Sequence, residues 1–372
     1  MRWSWKLGHV AGIKIQVHWT FLILIVWVVL LHVSRGAGVA AAATGVALVL
    51  AVFACVVLHE LGHALTAKRF GIPTKDITLL PIGGVARLQR MPEEPGRELL
   101  VAAAGPAVNV LIAAVLWGVL SLTQTLQPLS EFSIVSGNVP SQLLWVNVML
   151  VAFNLLPAFP MDGGRMLRAL LAYRIDYVQA TRVAASIGQG MAILFGFAGL
   201  FGNPILLLIA IFVYLGAQAE AQQVQVRAAL AGVMVGDAMM TRFRTLPDHA
   251  TLDDAVEELL AGSQQDFPVL AGDRVTGMLL RGDLVKALKE HGRSATVGSV
   301  ARADCHPLAE HEPLDQALTH MRDGRCSALP VVRGERIVGL LSLENVGELL
   351  MVDSALRGGS APARPAEALA AD

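Results

Sequence analysis

The stretch AVFACVVLHELGHALTAKR, residues 51–69, runs apolar for eight residues, then sets two histidines and a glutamate into the same run before ending on Lys68 and Arg69. On a helix the i, i+4 spacing places His59 and His63 on one face, one turn apart, where two neutral imidazoles can hold one zinc ion. Glu60 then stands beside the metal rather than on it. Zinc lowers the pKa of a bound water toward about 7, and a neighbouring carboxylate can take the proton as that water attacks a carbonyl, which is the chemistry of peptide hydrolysis. Charged groups at the centre of a lipid-embedded helix cost roughly 2.5–3.5 kcal/mol each even on the mild insertion scale, so their presence here argues for work to do. Lys68 marks a membrane edge, and a rise of 1.5 Å per residue puts the histidines roughly 8–14 Å below it.

The rest of the chain fits a protein that lives in lipid. Of its 372 residues 54% are hydrophobic and 16% charged, with a mean hydropathy of +0.56, which excludes an ordinary soluble globule. Apolar runs long enough to cross about 30 Å of hydrocarbon lie at 17–34, 44–66, 101–121, 142–158, 183–200 and 204–220. Arg2, Lys6 and Lys14 precede the first, six Lys and Arg residues from Lys68 to Arg97 separate the second from the third, and Arg165, Arg168, Arg174 and Arg182 follow the fourth. The alternate connections hold only Arg35. The positive-inside rule then predicts six transmembrane helices in a multi-pass cell-membrane protein with both termini cytoplasmic. The first run also has the form of a cleaved signal sequence, but the charge alternation works only if it is retained. The net charge of −1 gives no sign of nucleic-acid binding, and Cys55, Cys305 and Cys326 have neither metal nor disulfide spacing, so they read as buried thiols.

A catalytic zinc takes three protein ligands plus water, so a third must come from another span. Asp162, in NLLPAFPMDGGR (154–165), is the candidate. The second and fourth spans run in the same direction and deliver their polar ends to similar depth. Pro157 and Pro160 stop the helix, and Gly163 and Gly164 let backbone approach the metal. The alternative is an ordinary turn aspartate at a helix end.

With HELGH on one span, GPAVN (105–109) on the next and N-x-x-P-x-x-P-x-D-G at 154–163, residues 1 to about 220 resemble the site-2 protease family of intramembrane metalloproteases. The resemblance implies His59, His63 and Asp162 as zinc ligands, Glu60 as catalytic base, and a transmembrane or membrane-associated substrate such as an anti-sigma factor or a membrane-bound transcription-factor precursor. No PDZ-like insertion separates the spans, so the chain is similar to the compact branch with a C-terminal regulatory domain. Asn109 and Asn154 either orient substrate and the developing oxyanion or simply bond a neighbouring helix. Gly105 and Pro106 read as shaping the third span. The lone His18 and His32 read as interfacial anchors and are set aside.

GIPTKDITLLPIGGVARL (71–88) has two extended apolar stretches around a Pro and Gly-Gly turn and predicts a hairpin at the membrane. A helical substrate must unwind to expose its carbonyls, and a free strand edge near Gly83 and Gly84 would hold it extended.

From about 226 to 353 the composition turns charged and turn-rich, as in a cytoplasmic α/β module. It repeats with a 62-residue offset: Val235-Gly236 matches Val297-Gly298, Leu252-Asp253 matches Leu314-Asp315, Pro268-Val269 matches Pro330-Val331, and Gly277 matches Gly339. The pair resembles tandem CBS domains, which implies adenine nucleotide (ATP, ADP or AMP) in the cleft between repeats, or a ligand-free dimerisation module. In that pattern a Ser or Thr three residues before an Asp contacts phosphate and the Asp holds ribose. Here the first repeat has Leu280 with Asp283 and the second Ser342 with Asn345, so each departs from the pattern at one position. The expected division is a membrane domain at 1–222, a linker at 223–232, repeats at 233–292 and 293–353, and a disordered tail at 354–372. The expected function is an intramembrane zinc endopeptidase cutting near the cytoplasmic face, possible regulation by nucleotide included. The alternatives are a CBS-regulated metal transporter and an inactive membrane scaffold.

Overall fold

Each long apolar run folds as a helix, and the alternating stretches around them pair as strands. The computed structural model describes residues 4–36, 38–81, 83–88, 92–131 and 138–358, and the chain divides at residue 224 into units Met1–Val224 and Gln225–Asp372. The first unit opens with a hairpin absent from the sequence reading, β1 (Ser4–Val10) and β2 (Ile13–His18). Val10 pairs with Ile13, and the two turn residues Ala11 and Gly12 have φ of 52° and 85°, the backbone that a two-residue type I′ turn demands. Helices α1 (Phe21–Ser34) and α2 (Val39–Arg69) follow, and then β3 (Thr74–Leu80) and β4 (Gly83–Leu88) form the expected hairpin, Ile82 lying outside the described residues. The four strands make one sheet in the order β1-β2-β3-β4, which leaves β4 at an edge. The sheet lies on α2: Ile13 and Ile77 pack with Leu61 and Ala64, and Val17 and Leu79 with Phe53. Lys68 Nζ donates to Ala11 O at 2.9 Å, pinning the hairpin to the end of α2.

The remaining elements of this unit are α3 (Pro95–Leu122), α4 (Val139–Asn154), α5 (Asp162–Ala172), α6 (Tyr177–Phe201) and α7 (Pro204–Leu230). Among the described residues four helices, α2, α3, α6 and α7, are long and apolar enough to cross a membrane. The first and fourth expected spans come out shorter, at 14 and 16 helical residues. The first loses its start to β2, and the fourth ends before Pro157 and Pro160, which cannot continue a helix. His32, expected at the interface, is 1% exposed. Its Nδ1 lies 2.8 Å from Val28 O and its ring fills the space that Gly45 of α2 leaves by having no side chain. His18, by contrast, is half-buried and bonds Thr20 Oγ1 at 2.8 Å.

Through the stretch expected to be a linker, α7 continues to Leu230. AQAEAQQVQVRAAL (217–230) contains only residues that a helix accepts, with no Gly or Pro before Gly232.

In the second unit the 62-residue offset becomes a structural repeat. The first copy runs α8 (Val235–Ala238), β5 (Leu246–Pro247), α9 (Leu252–Ala261), β6 (Phe267–Ala271), β7 (Arg274–Leu279) and α10 (Arg281–His291). The second runs through a 3-10 turn at Val297–Ser299 into β8 (Leu308–Ala309), α11 (Leu314–Gly324), β9 (Ala328–Arg333), β10 (Arg336–Ser342) and α12 (Leu343–Gly358). Each copy supplies a three-stranded sheet, β5-β6-β7 or β10-β9-β8. The copies interlock by symmetric bridges, Met240 with Leu340 and Arg302 with Met278. This explains the matched glycines: a Cβ at Gly277 would lie 2.7 Å from Arg302 O, and one at Gly339 would collide with Met239. At the start of α9 the Thr251 backbone N–H and hydroxyl both donate to Asp254, and these bonds hold its carboxyl below the usual range. Expected to end at 353, the second copy keeps its helix to Gly358, and residues 359–372 of the expected tail lie outside the described residues.

Two of the three cysteines are not thiols. Cys305 and Cys326 form a disulfide, while Cys55 is free and buried. The pairing escaped sequence reasoning because it is made by tertiary packing: the parallel register Leu308 with Val331 carries 305 to 326 across 21 residues of chain.

Candidate metal centre

Three ligand atoms converge from two helices. His59 and His63 lie one turn apart on α2, and Asp162 is the first residue of α5. The two Nε2 atoms are 3.1 Å apart, and each is 3.2 Å from Asp162 Oδ2. All three residues are buried, at 7, 6 and 6% exposure.

The far side of each ring fixes which nitrogen carries hydrogen. His63 Nδ1 lies 2.7 Å from the backbone carbonyl of Val101 on α3, which can only accept. For His59 the argument takes three steps. Asn147 Nδ2 on α4 donates to the Leu143 carbonyl at 2.8 Å, so Asn147 Oδ1 faces Asn109 and accepts from its Nδ2 at 2.9 Å. Asn109 Oδ1 is left to accept from His59 Nδ1 at 2.6 Å. Both imidazoles therefore donate outward and turn bare Nε2 lone pairs toward a carboxylate oxygen. Three acceptors facing one another at this distance repel unless a cation sits among them. Ligands about 2.0 Å from a tetrahedral zinc stand roughly 3.3 Å apart, so the observed triangle and the N, N, O donor set fit that metal.

Glycine makes the convergence possible. A Cβ at Gly105 would collide with His63 and would stand 2.7 Å from His59 Nε2, so this residue, expected only to shape its helix, lies against both ligands. Gly163 and Gly164, expected to approach the metal, instead press the start of α5 onto the carbonyls of Leu155, Leu156 and Ala158. That contact seats Asp162 at its station after the Pro-rich break.

Glu60 turns toward the edge strand, its Oε2 accepting from the Ala86 backbone N–H of β4 at 3.2 Å. Gly84 makes room, since a Cβ there would be 2.9 Å from Glu60 Cγ. Gly83 has φ of 140°, a conformation few residues other than glycine adopt, with nothing near its absent side chain. Of the two asparagines singled out, Asn109 is fully buried behind His59 with both ends of its amide engaged. Asn154, at the end of α4, is half-buried and makes no side-chain hydrogen bond among the described residues. Asn147 was missed: one more polar residue in an apolar span, its signal would have been a second intramembrane asparagine on the span opposite GPAVN.

The chain matches the model of Peptidase family M50 over residues 47–141 and 133–197, and that of the CBS domain over 235–290 and 297–351. A zinc metalloprotease of Methanocaldococcus jannaschii is 32% identical over 93% of this chain and 96% of its own length. The chain belongs to the site-2 protease family. It is an intramembrane zinc metalloendopeptidase with a C-terminal CBS pair, which replaces the transporter and scaffold readings. The Mycobacterium tuberculosis relative Rip3 is 30% identical over 95% of this protease and 94% of its own chain. The solved site-2 protease from Methanocaldococcus jannaschii is 38% identical, covering 59% of this chain and 95% of its own, with a TM-score of 0.44.

The expected nucleotide residues are less concentrated than those of the metal centre. Ser342 Oγ lies 2.7 Å from Asn345 Oδ1 and accepts from the Asn345 backbone N–H at 3.2 Å, so the two cap the start of α12. Asp283 has a buried Oδ2 without a hydrogen-bond partner among the described residues. The CBS pair also holds a cavity of about 520 Å³ lined by Arg274, Thr276, Cys305, His306 and Glu335 among others, and none of Asp283, Ser342 and Asn345 lines it.

Proposed function

We infer that this protease hydrolyses transmembrane or membrane-associated regulatory proteins near the cytoplasmic face, with zinc on His59, His63 and Asp162. The observation that carries the reading is the pair of bare imidazole nitrogens facing a buried carboxylate at 3.2 Å. Zinc bound there supplies acidification of a water and polarisation of the scissile carbonyl. Glu60, beside the ligands, accepts the proton from the attacking water and delivers it to the departing amide nitrogen. Asn154, whose side-chain amide makes no hydrogen bond among the described residues, donates to the oxygen on which charge develops. Asn109, with Asn147 behind it, holds the His59 ring in one tautomer.

The unwound substrate adds as a strand to the free edge of β4. Support comes from the sheet order, which leaves that edge unpaired among the described residues, and from the Ala86 N–H, which donates to Glu60 rather than to a neighbouring strand. Strand addition at this edge brings a peptide carbonyl alongside the base. Replacing Gly83 and Gly84 with bulky residues slows cleavage without releasing zinc; unchanged cleavage removes the proposal.

Six crossings with both termini cytoplasmic follow from the distribution of Lys and Arg, with α1 and α4 as the two short spans. The substrate class then includes anti-sigma factors and membrane-bound transcription-factor precursors. Adenine nucleotide at the CBS pair is the proposed regulator, supported by the orphaned Asp283 oxygen, with homodimerisation through that pair as its structural counterpart. Such a nucleotide acts only if it binds open and closed states unequally, and equal cleavage rates with and without AMP or ATP would remove it.

The deciding experiment uses the full chain in lipid nanodiscs. It measures zinc stoichiometry and cleavage of single-span proteins for wild type and Glu60→Gln. One zinc per chain in both, with cleavage only by wild type, is the expected result; absence of zinc from the wild type would overturn the assignment.

A further inference from the structure

Arg168 is the largest fully buried side chain among the described residues, and the hydrolytic chemistry does not touch it. Its Nε donates to Glu98 Oε1 on α3 at 2.7 Å, and its Nη1 donates to Glu220 Oε1 on α7 at 2.8 Å. The guanidinium also lies over the rings of Phe159, in the loop before α5, and Tyr177, at the start of α6, at 5.0 and 4.9 Å. One side chain thus joins α3, α5, α6, α7 and the Pro-rich loop.

Buried ion pairs add little net stability, because desolvation offsets the attraction. What a guanidinium adds is direction, since its planar fork bonds only along fixed lines. Here those lines connect the two halves of the metal centre. Glu98 is one turn before Val101, whose carbonyl holds His63, and the same helix continues through Gly105 to Asn109, which holds His59. Arg168 is six residues after Asp162 on α5, a rise of about 9 Å. The helix that orients both imidazoles and the helix that bears the carboxylate are therefore tied at their common base. A ligand constellation tolerates displacement of only about 0.5 Å.

We propose that Arg168 is a positioning residue for the metal centre: by bonding Glu98 and Glu220 at once, it sets α5 against α3 and α7 and holds Asp162 where the two imidazoles meet. The proposal rests on the reading of His59, His63 and Asp162 as zinc ligands. A merely stabilising ion pair makes a different prediction. Removing both charges together in Glu98→Gln/Arg168→Met strands neither of these fully buried groups and leaves only the partly exposed Glu220 carboxylate, which water can reach, so the zinc-free melting temperature stays near that of wild type. If the pair only stabilises, zinc affinity also stays; if it positions, affinity falls about 10- to 100-fold, as for other groups that orient metal ligands.

The test uses full-length protein in nanodiscs, with zinc affinity from chelator competition and melting of the zinc-free form. Glu220→Gln removes only the partly exposed arm of the clamp and keeps the fold, so it serves if the double variant misfolds. It is expected to weaken zinc several-fold at unchanged melting temperature. Wild-type affinity in the folded double variant, or in Glu220→Gln where the double variant does not fold, overturns the proposal. A wild type without stoichiometric zinc, or a His59→Ala variant that keeps it, counts instead against the ligand assignment.

Discussion

The two units of this protease bury different things. Every fully buried polar or charged residue among those described lies in Met1–Val224, whereas the buried side chains of the CBS pair are apolar. In the membrane unit, buried polar groups are joined between helices through individual atoms, as in the line from Leu143 O through Asn147 and Asn109 to His59. In the CBS pair Ser342 and Asn345 cap their own helix, and the two copies fit by shape at Gly277 and Gly339. Function in the first unit therefore depends on donors and acceptors, and integrity in the second on volume.

Substitutions can break this contrast, beginning with the largest expected effect. Asp162→Ala removes one of three ligands and should abolish both stoichiometric zinc, by metal analysis, and cleavage. Glu60→Gln should keep zinc but lower turnover by about 10²–10⁴, the usual contribution of a positioned base; lost zinc would mean that Glu60 is itself a ligand. Asn147→Leu frees the Asn109 amide to turn, so zinc affinity by chelator competition should fall about 10–100-fold. An unchanged affinity would show that the tautomer of His59 needs no such support. In the other unit, Gly277→Val drives a side chain against the Arg302 carbonyl. It should destabilise the CBS pair by about 1–3 kcal/mol in denaturant melts and leave zinc affinity untouched. Smallest is Ser342→Ala, which removes the hydroxyl that receives the Asn345 N–H and should cost about 1 kcal/mol or less without altering cleavage.

Cys305–Cys326 sharpens the contrast differently. Disulfides persist in oxidising compartments and are rare in the cytosol, whereas the topology proposed above has the CBS pair cytoplasmic. If that topology holds, cellular reductants should open this bond, and alkylation with mass spectrometry of protein from intact cells should find Cys305 and Cys326 reduced; an intact bond would count against the cytoplasmic placement.

What the sequence determined by itself was local or periodic. Helical spacing put His59 and His63 on one face, the proline pair ended α4, the two extended apolar stretches on either side of Pro81 gave the β3-β4 hairpin, and the 62-residue offset gave the repeats. Gly83 and Gly84, expected in the turn of that hairpin, instead open strand β4. The β1-β2 hairpin was legible in the alternation of IKIQV after Ala11-Gly12 but went unread, only its last two residues falling within the run at 17–34. Only the tertiary structure decided which distant atoms meet. It put Asn109 behind a ligand, brought Gly105 against both imidazoles, turned Gly163 and Gly164 toward a loop, joined Cys305 to Cys326 and buried Arg168 among four helices. The physical reason is that periodicity names the face a side chain occupies, while its partner depends on how helices far apart in the chain pack, and that packing is set by small residues and paired polar groups whose spacing in sequence carries no signal.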